Sequence, residues 1–197
     1  MSETRWIELS RLAELLTAYP FRASVRSEPG GNIPVIQLQD LATPDGGLPE
    51  SVVRVANLDG RYDKHFLQPT DLLFQARGHK HAAAVVRLEH RMISMPGLHI
   101  IRPKVDAMLP DYLAWCLNHP RIQAAIATVG QGTHQPFVSK QSLAKVMIPA
   151  PPIETQRRIA ETARLWAKER LLAAQLIEAK DALVDSATWH AAVGTPE

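Results

Sequence analysis

The stretch "VMIPAPPIETQRRIAE", residues 146–161, places a short apolar run, three prolines and the start of a charged helix in immediate succession. The run Val146–Ile148 favours a strand, and each proline that follows lacks the backbone donor that continued strand pairing needs. Proline is favoured in the first turn of a helix, and Glu154 puts negative charge at the positive end of the helix dipole. The stretch therefore predicts that the chain leaves a sheet here and enters a helix.

A long helix is predicted from Ile153 to about Ser186, because these 34 residues contain neither Gly nor Pro and are rich in strong helix formers. Apolar positions recur at steps of three and four, as in a coiled-coil seam, and a second apolar line lies beside it. The predicted dimerisation residues on these two lines are Leu165, Trp166, Leu172, Leu176, Ile177 and Leu183. At 1.5 Å per residue the helix is about 50 Å long, which favours a dimerising coiled-coil arm. The alternative is that the helix folds back over its own domain.

The part of the chain before residue 150 is predicted to be rich in short strands. Six runs have strand character, at residues 33–38, 51–55, 71–75, 82–88, 91–94 and 98–102. Turn signals such as "EPGGN" and "TPDGG" separate them, without a helix between each pair. This spacing disfavours a doubly wound parallel sheet and favours an α+β domain. Helical spacing is confined to residues 9–16 and 109–130.

Composition sets the broad class of protein. The chain has 197 residues, of which 46% are hydrophobic and 21% charged, as in ordinary globular proteins. Its net charge of +2 does not by itself indicate a nucleic-acid-binding protein, so any basic surface must be local. The lone Cys116 excludes an intramolecular disulfide and fits a reducing compartment. With no signal-peptide pattern and no apolar run of membrane-spanning length, we expect a cytoplasmic protein without a membrane partner.

The motifs of the common enzyme classes are absent from the sequence. It contains no G-x-G-x-x-G, P-loop, G-x-S-x-G or H-E-x-x-H pattern, so nucleotide and S-adenosylmethionine sites are unsupported. His79 and His81 have the spacing of two ligands on one strand face, but a solvated polar turn is the simpler interpretation. We therefore expect no metal site. A metal-dependent nuclease remains a weak alternative, built from acidic residues on predicted turns: Asp45, Glu50, Asp59 and Asp63.

Two predicted loops carry side chains suited to DNA. In "QARGHKH" (75–81), Arg77, His79, Lys80 and His81 surround Gly78 directly after a strand, where they can donate to phosphate or to a guanine edge. The simpler alternative is a solvent-facing charged turn. In "GQGTHQPFVSKQ" (130–141), two glycines allow a close backbone approach. The polar candidates of this second loop are Gln131, Thr133, His134, Gln135 and Lys140.

The second loop also has a structural interpretation, in which Phe137 and Val138 plug the core. A third and weaker group, "VANLDGRYDKHF" (55–66), adds Arg61 and Lys64 at a turn. Together the three groups predict a basic, hydrogen-bonding face on one sheet domain despite the small net charge.

The order of these features resembles one half of the DNA-specificity (S) subunit of type I restriction-modification systems. The resemblance runs from about residue 5 to 186 and is most specific in the closing block, with a G-T-x-Q-like loop, a serine-led helical turn and an I-P-x-P-P exit. The matching residues are Gly132, Thr133, Gln135, Ser139, Leu143, Ile148, Pro149, Pro151, Pro152 and Gln156. Two positions depart from the family pattern, since Thr155 replaces the usual glutamate and "TDLL" (70–73) replaces G-D-I-L.

The resemblance implies a non-enzymatic module with three parts: a β-rich, target-recognition domain over residues 1–150, a spacer and dimerisation helix over 151–187, and a flexible tail over 188–197. Its implied partners are double-stranded DNA, a second copy of the chain and an adenine methyltransferase subunit, with a restriction translocase added in full systems. S-adenosylmethionine would belong to the methyltransferase, so no cofactor is expected in this chain. A pair of copies implies a bipartite, palindromic target. An interaction adapter that has lost DNA binding is the alternative on the same fold.

Overall fold

The computed structural model describes residues 4–21, 30–31, 33–41, 53–55, 63–78, 81–87, 91–129 and 136–194. Contacts divide the chain into two units, Met1–Ala160 and Glu161–Glu197. The first unit holds all the described strands and short helices, and the second consists of the greater part of a long helix.

Strands and helices alternate irregularly along the described residues. The strands are β1 (Arg5–Glu8), β2 (Ala13–Thr17), β3 (Ile33–Ile36), β4 (Val53–Val55), β5 (Leu72–Gln75), β6 (Ala83–Val85), β7 (Ile93–Ser94), β8 (Leu98–Pro103) and β9 (Met147–Ala150). The α-helices are α1 (Leu9–Leu12), α2 (Pro110–Asn118), α3 (Pro120–Val129), α4 (Lys140–Ala144) and α5 (Ile153–Val193). Short 3-10 helices cover Leu38–Leu41 and Asp63–His65.

The described strands form three sheets. A four-stranded antiparallel sheet has the order β2-β8-β5-β6, and a three-stranded sheet has the order β4-β3-β7 with β3 and β7 parallel. The third is an antiparallel ribbon of β1 and β9. All six predicted runs contain a strand, and the predicted α+β class with a long C-terminal helix is confirmed.

Two predictions about local structure were wrong. Residues 9–16 do not form one helix, because α1 ends at Leu12 and β2 continues by pairing with β8, with Leu15 opposite Ile101. Non-local pairing with a buried strand outweighs the local helical spacing. Strand pairing also continues through Pro149, which lies opposite Trp6 in the ribbon. In the described residues β9 pairs on one side only, and such an edge position tolerates a residue without a donor.

The largest apolar core joins the four-stranded sheet to the short helices. Phe74 and Ile101 from the sheet pack in one cluster with Leu113 and Leu117 of α2. Asn118, the last residue of α2, accepts a bond from the Ala83 amide (2.9 Å) and donates one to the Ala83 carbonyl (2.7 Å), as a neighbouring strand would. The end of α2 is thereby fixed to the edge strand β6.

A buried ion pair holds β8 to the start of β5. Asp71 is fully buried, and both of its carboxylate oxygens accept bonds of 2.8 Å from the Arg102 guanidinium, which raises the pKa of Arg102. The Gln68 amide also donates to Asp71 at 2.8 Å. The preceding Thr70 has a φ of +84°, a region that favours glycine. Thr70 stands where the G-D-I-L pattern has its glycine. A β-branched residue is therefore strained at a position where glycine would not be.

Gln156 fixes the first turn of α5 to the body of the first unit. Its side chain is only 1% exposed. Its Oε1 accepts from the Leu109 amide at 2.9 Å, and its Nε2 donates to the carbonyls of Ala107 (3.1 Å) and Pro151 (2.9 Å). One amide side chain thus satisfies three backbone groups from two separate segments.

The helix α5 continues past the predicted end at Ser186 to Val193, a length of about 60 Å. The predicted tail from residue 188 was therefore wrong in its first residues, because Ala187–Val193 contains no helix breaker. Gly194 ends the helix in a left-handed conformation, with a φ of +73°, and its amide donates to the His190 carbonyl at 3.1 Å.

The predicted dimerisation residues lie on the surface of α5. Leu165, Trp166, Leu172, Leu176, Ile177 and Leu183 are between 53% and 70% exposed. The apolar seam is therefore unburied in the single chain. No helix within the described residues is long and apolar enough to span a membrane.

We predict that Gln156→Ala lowers the free energy of unfolding by about 2–4 kcal/mol, because it leaves a buried amide and two carbonyls without partners. Denaturant unfolding of the purified protein measures this loss. The control is Gln175→Ala on the exposed surface of α5, which should change stability by less than about 0.5 kcal/mol. Equal effects of the two substitutions would contradict the role given to Gln156.

Candidate nucleic-acid interface

The structure joins the two loops that the sequence singles out as DNA-binding candidates. The segment Ala76–Gly78 lies antiparallel to the segment Pro136–Val138. The Gly78 amide donates to the Pro136 carbonyl at 3.0 Å, and the Val138 amide donates to the Ala76 carbonyl at 2.9 Å. The described ends of residues 75–81 and 130–141 are therefore fixed side by side at one corner of the four-stranded sheet.

Gly78 allows the first loop to turn at this corner. Its φ of +92° lies in the region that favours glycine, and a Cβ there would sit 3.4 Å from Nε2 of Gln75. That same Nε2 donates to the Arg77 carbonyl at 2.9 Å. The turn is thus held by its own side chain as well as by pairing with the second loop.

Arg77 and Phe137 form the exposed surface of the corner. They face each other in an isolated β-bridge, and the Arg77 guanidinium lies over the Phe137 ring, 5.4 Å from its centre. Arg77 is exposed and Phe137 is 36% exposed. An arginine stacked on an aromatic ring keeps its N–H donors available while losing part of its conformational freedom. The guanidinium is thus oriented for a partner from solvent.

Three rings stack beneath this corner. The Phe74 ring lies between His81, at a centroid distance of 5.9 Å, and His99, at 6.4 Å, and both imidazoles are nearly parallel to it. His99 also meets the edge of Phe137 at 6.1 Å. The stack connects the exposed Arg77–Phe137 pair to the buried face of β5.

His81 does not lie on the surface, which corrects its prediction as a DNA-binding residue. It is 4% exposed, and its Nδ1 is 2.9 Å from the Gln75 carbonyl, to which it donates. Its own carbonyl accepts from Nε2 of Gln123 at 2.9 Å. The ring is therefore used within the fold and is not available to a ligand in solvent.

His99 is held in its neutral form. Burial lowers its pKa from 6.5, and the positive charge of Lys140 adds to that effect, although a hydrogen bond to the Val138 carbonyl acts in the opposite direction. That bond is 2.8 Å long, so Nε2 carries the proton of the neutral ring and donates it. His99 thus fixes the base of the second loop without adding charge to the corner.

Lys140 is the second described cation of the corner. It is exposed and is the first residue of α4, which Ser139 caps by accepting from the Ser142 amide at 3.0 Å. Each of the two joined segments therefore has an exposed cation in it or close after it, Arg77 in the first and Lys140 two residues after the second.

Most other candidates fall outside the described residues. They are Arg61, His79, Lys80, Gln131, Thr133, His134 and Gln135. Lys64 lies in the 3-10 helix Asp63–His65, but its side chain is also outside the described part. The structure leaves their predicted roles untested.

Arg91 is an exposed cation that the sequence reasoning missed, because it lies at the start of a predicted strand. Its guanidinium lies over the Phe66 ring at 4.0 Å and pairs with the Asp63 carboxylate at 3.3 Å. Nearby, His65 meets Tyr19 edge-on at 5.5 Å, and its Nδ1 is 3.3 Å from the Thr17 carbonyl. The run of His90 and Arg91 in the sequence was the available signal.

The described residues give the nuclease alternative no support. Among them, no three His, Cys, Asp or Glu side chains are placed to hold a metal ion. Asp63 is paired with Arg91, while Asp45, Glu50 and Asp59 lie outside the described part. Burial raises the pKa of the Cys116 thiol to about 11 and raises that of Tyr112, so neither is an activated nucleophile.

We predict that stability falls as the pH is lowered through the region below 6.5, because unfolded His99 takes up a proton at its ordinary pKa whereas the folded protein resists it. The contribution of His99 to the free energy of unfolding is complete above pH 6.5. It is lost as the pH falls from 6.5 to the lowered pKa of His99 in the folded protein. Denaturant unfolding on both sides of pH 6.5 measures it. His99→Gln, which keeps a donor, should reduce the slope, and the exposed, non-titrating Gln175→Ala should not. An unchanged slope in His99→Gln would contradict the assignment.

No protein-family model and no curated protein matches the chain. Solved structures do. The HsdS subunit of Thermoanaerobacter tengcongensis aligns with a TM-score of 0.63 and 21% identity, over 93% of this chain and 44% of that chain. A chain from a structure on complex assembly and conformational transition of the type I R-M system aligns with a TM-score of 0.67 and 20% identity, over 90% of this chain and 41% of that one.

The S subunit of the type I restriction-modification system of M. genitalium aligns with a TM-score of 0.62 and 16% identity, over 95% of this chain and 45% of that chain. This chain therefore spans less than half the length of the solved chains that it matches. The alignments include both the β-rich unit and the long helix, since they cover at least 90% of this chain. The protein has the fold of one half of a type I restriction-modification S subunit.

Proposed function

We propose that this chain is a DNA-sequence-reading specificity subunit of a type I-like restriction-modification system, and that it is not itself an enzyme. The single observation that carries the proposal is the pairing of Ala76–Gly78 with Pro136–Val138, which brings the two candidate loops to one corner. The structural similarity to S subunits supports the same conclusion.

Further candidate donors adjoin the paired segments in the sequence. His79 directly follows Gly78, and Gln135 directly precedes Pro136. Arginine binds guanine through two hydrogen bonds, glutamine does the same with adenine, and lysine binds phosphate as a point charge. The two loops together therefore offer both base-reading and phosphate-binding groups.

The electrostatics of the corner suit a polyanion. Arg77 and Lys140 are exposed cations, whereas the buried His99 is held neutral by desolvation and adds no charge. Stacking on Phe137 orients the Arg77 guanidinium before binding, which lowers the entropic cost of the contact. Arg77 is thus the best-placed described residue to read a base, and Lys140 to bind the backbone.

Base reading by Arg77 and phosphate binding by Lys140 predict different effects on DNA binding. Duplexes selected from a random library by the wild-type protein should share a sequence motif. We expect Arg77→Ala to relax preference at one position of each half-site, at a cost of about 1–3 kcal/mol for the preferred base. Lys140→Ala should weaken binding to all sequences equally. It should also reduce the slope of the logarithm of the binding constant against the logarithm of the salt concentration by about one. Fluorescence anisotropy over a range of salt concentrations measures both.

The control for that experiment is Arg121→Ala, which removes an exposed positive charge from α3. It should leave the selected motif unchanged. Equal losses for Arg77→Ala and Arg121→Ala on every sequence would reject base reading at this corner. A protein that selects no motif at low salt would instead support the interaction-adapter alternative.

The proposal includes pairing of two copies through α5. The six exposed apolar side chains of the seam are the first support, since a surface of this size favours burial by a partner helix. Charge along the helix is the second. Residues 157–170 carry five cations and two acids, whereas residues 178–185 carry three acids and one lysine. An antiparallel pair would place the basic part of each helix beside the acidic part of the other.

An antiparallel pair has a twofold axis near the middle of the helices, so the two recognition units would read the same half-site in opposite orientations. The target is then a bipartite palindrome. A helix of about 60 Å against about 35 Å per turn of B-DNA gives half-sites separated by roughly one to two turns.

The catalytic partner in this proposal is an adenine methyltransferase subunit, joined in a full system by a restriction translocase. S-adenosylmethionine would bind to that methyltransferase. The sequence of this chain has neither a G-x-G-x-x-G motif nor a P-loop that would indicate a site of its own. The chain itself contributes the choice of sequence.

We predict that Leu172→Glu combined with Leu176→Glu gives folded monomers, because two charges in the seam oppose its burial. Analytical ultracentrifugation measures the change from dimer to monomer, and circular dichroism checks the fold. Binding to a two-half-site duplex should weaken by at least tenfold, as expected when linked binding is lost. The matched control, Ala167→Glu with Ala174→Glu, adds the same charge away from the seam and should remain dimeric. An unchanged dimer in the leucine variant would reject the seam.

A further inference from the structure

The ribbon of β1 and β9 exposes an apolar face. This face is separate from the recognition corner, the name we give to the joined segments Ala76–Gly78 and Pro136–Val138. In its register Trp6 lies opposite Pro149 and Glu8 lies opposite Met147. Because cross-strand partners share a face, these four side chains lie together, while Ile7 and Ile148 point to the core. Trp6 is 55% exposed and Met147 is 44% exposed. We name Trp6, Glu8, Met147 and Pro149 the ribbon face.

A second unexplained apolar surface lies at the far end of α5. Trp189 is 66% exposed and Val193 is 56% exposed, in the turns beyond the predicted end of the helix. Val193 continues the spacing of Leu165 and Leu172 along the seam, and Trp189 lies on its flank. A solvated helix end does not require a tryptophan at that position.

Helix length brings these two surfaces to the same level in an antiparallel pair. If two 41-residue helices overlap completely, residue 189 falls roughly at the level of residue 157 in the partner, and residue 193 at that of residue 153. The strand β9 ends at Ala150, immediately before that point. The end of each helix would therefore lie beside the ribbon of the other copy.

Burial of the seam favours this overlap, because sliding the helices to shorten the overlap would leave more of the seam in water. Charge is matched only in part at this register. With full overlap, Glu178 falls opposite Lys168 of the partner, whereas Asp185 falls opposite Glu161. The apolar seam therefore sets the register proposed here.

We propose that the last two turns of α5 dock through Trp189 and Val193 on the ribbon face of a second copy of this chain. The inference rests on the helix pairing proposed above and adds a contact from each helix end to the partner's recognition unit. The Glu8 carboxylate offers an acceptor for the indole N–H of Trp189, which needs one when buried. Because the ribbon is bonded through the Pro149 carbonyl to Tyr112 of α2, at 2.9 Å, the contact would fix the angle between each helix and the partner's unit.

Cross-linking tests this contact directly. A Met147→Cys protein is mixed with a Trp189→Cys protein that carries an affinity tag, and the mixture is treated with a short bismaleimide. The native Cys116 is fully buried, so it does not compete. We expect a covalent dimer in the mixture and little in either protein alone. The control replaces Met147→Cys by Val105→Cys, another exposed apolar position of the first unit, which should not cross-link.

The outcomes separate this inference from the dimer itself. Wild-type monomers in the ultracentrifuge would overturn both proposals. Dimers without the Met147–Trp189 link, or with an equal link at Val105, would overturn the docking contact alone. A dominant link between two Trp189→Cys chains would indicate parallel helices and also overturn it.

Thermodynamic coupling gives a second readout. Trp6→Ser and Trp189→Ser should each raise the dimer dissociation constant by about tenfold, as central aromatic contacts do. If the two tryptophans contact each other, the double variant should be no weaker than either single variant. Additive losses would place the side chains in separate contacts and contradict the docking. Val105→Ser is the control and should leave dimerisation unchanged.

Discussion

The buried amide of Gln156 is the interaction on which the arrangement of the first unit and the start of α5 depends. It joins the Pro151 carbonyl, at the exit from β9, to the backbone of Ala107 and Leu109, directly before α2. A charged or shorter side chain cannot satisfy both the donor and the two acceptors. The direction in which the helix begins is therefore set by hydrogen bonds in a nearly solvent-free position, where partners are costly to lose.

The four-stranded sheet has the corresponding role at the recognition corner. It positions Arg77, which lies two residues beyond β5, and carries His99 on β8, from which the Val138 carbonyl accepts a hydrogen bond. The pairing of the described ends of the two loops and the ring stack on Phe74 support this corner. A rigid base that carries variable loops lets the loop residues change without loss of the fold.

The chain separates its charges by role. In the first unit, His99 is held unprotonated by burial, and the buried Asp71 is bonded to Arg102. The exposed cations Arg77 and Lys140 remain at the recognition corner. Along α5 the charges are instead distributed by position, basic before residue 170 and acidic after residue 178. The net charge of +2 is therefore the sum of two different charge distributions. The cations of the recognition corner suit a polyanion, and the charges along α5 suit a second helix.

The sequence by itself determined the class of fold, the six strand-containing runs and the long helix, because strand patterning, prolines and helix propensity act locally. It also located the two loops by their glycine and polar residues. Only the tertiary structure decided that residues 13–17 pair as a strand, that β9 continues through Pro149 and that His81 is buried, since each depends on a partner distant in sequence. The joining of residues 76–78 to 136–138 is of the same kind. Local sequence specifies which secondary structures a segment can form. Contact with segments distant in sequence decides which of them the segment adopts.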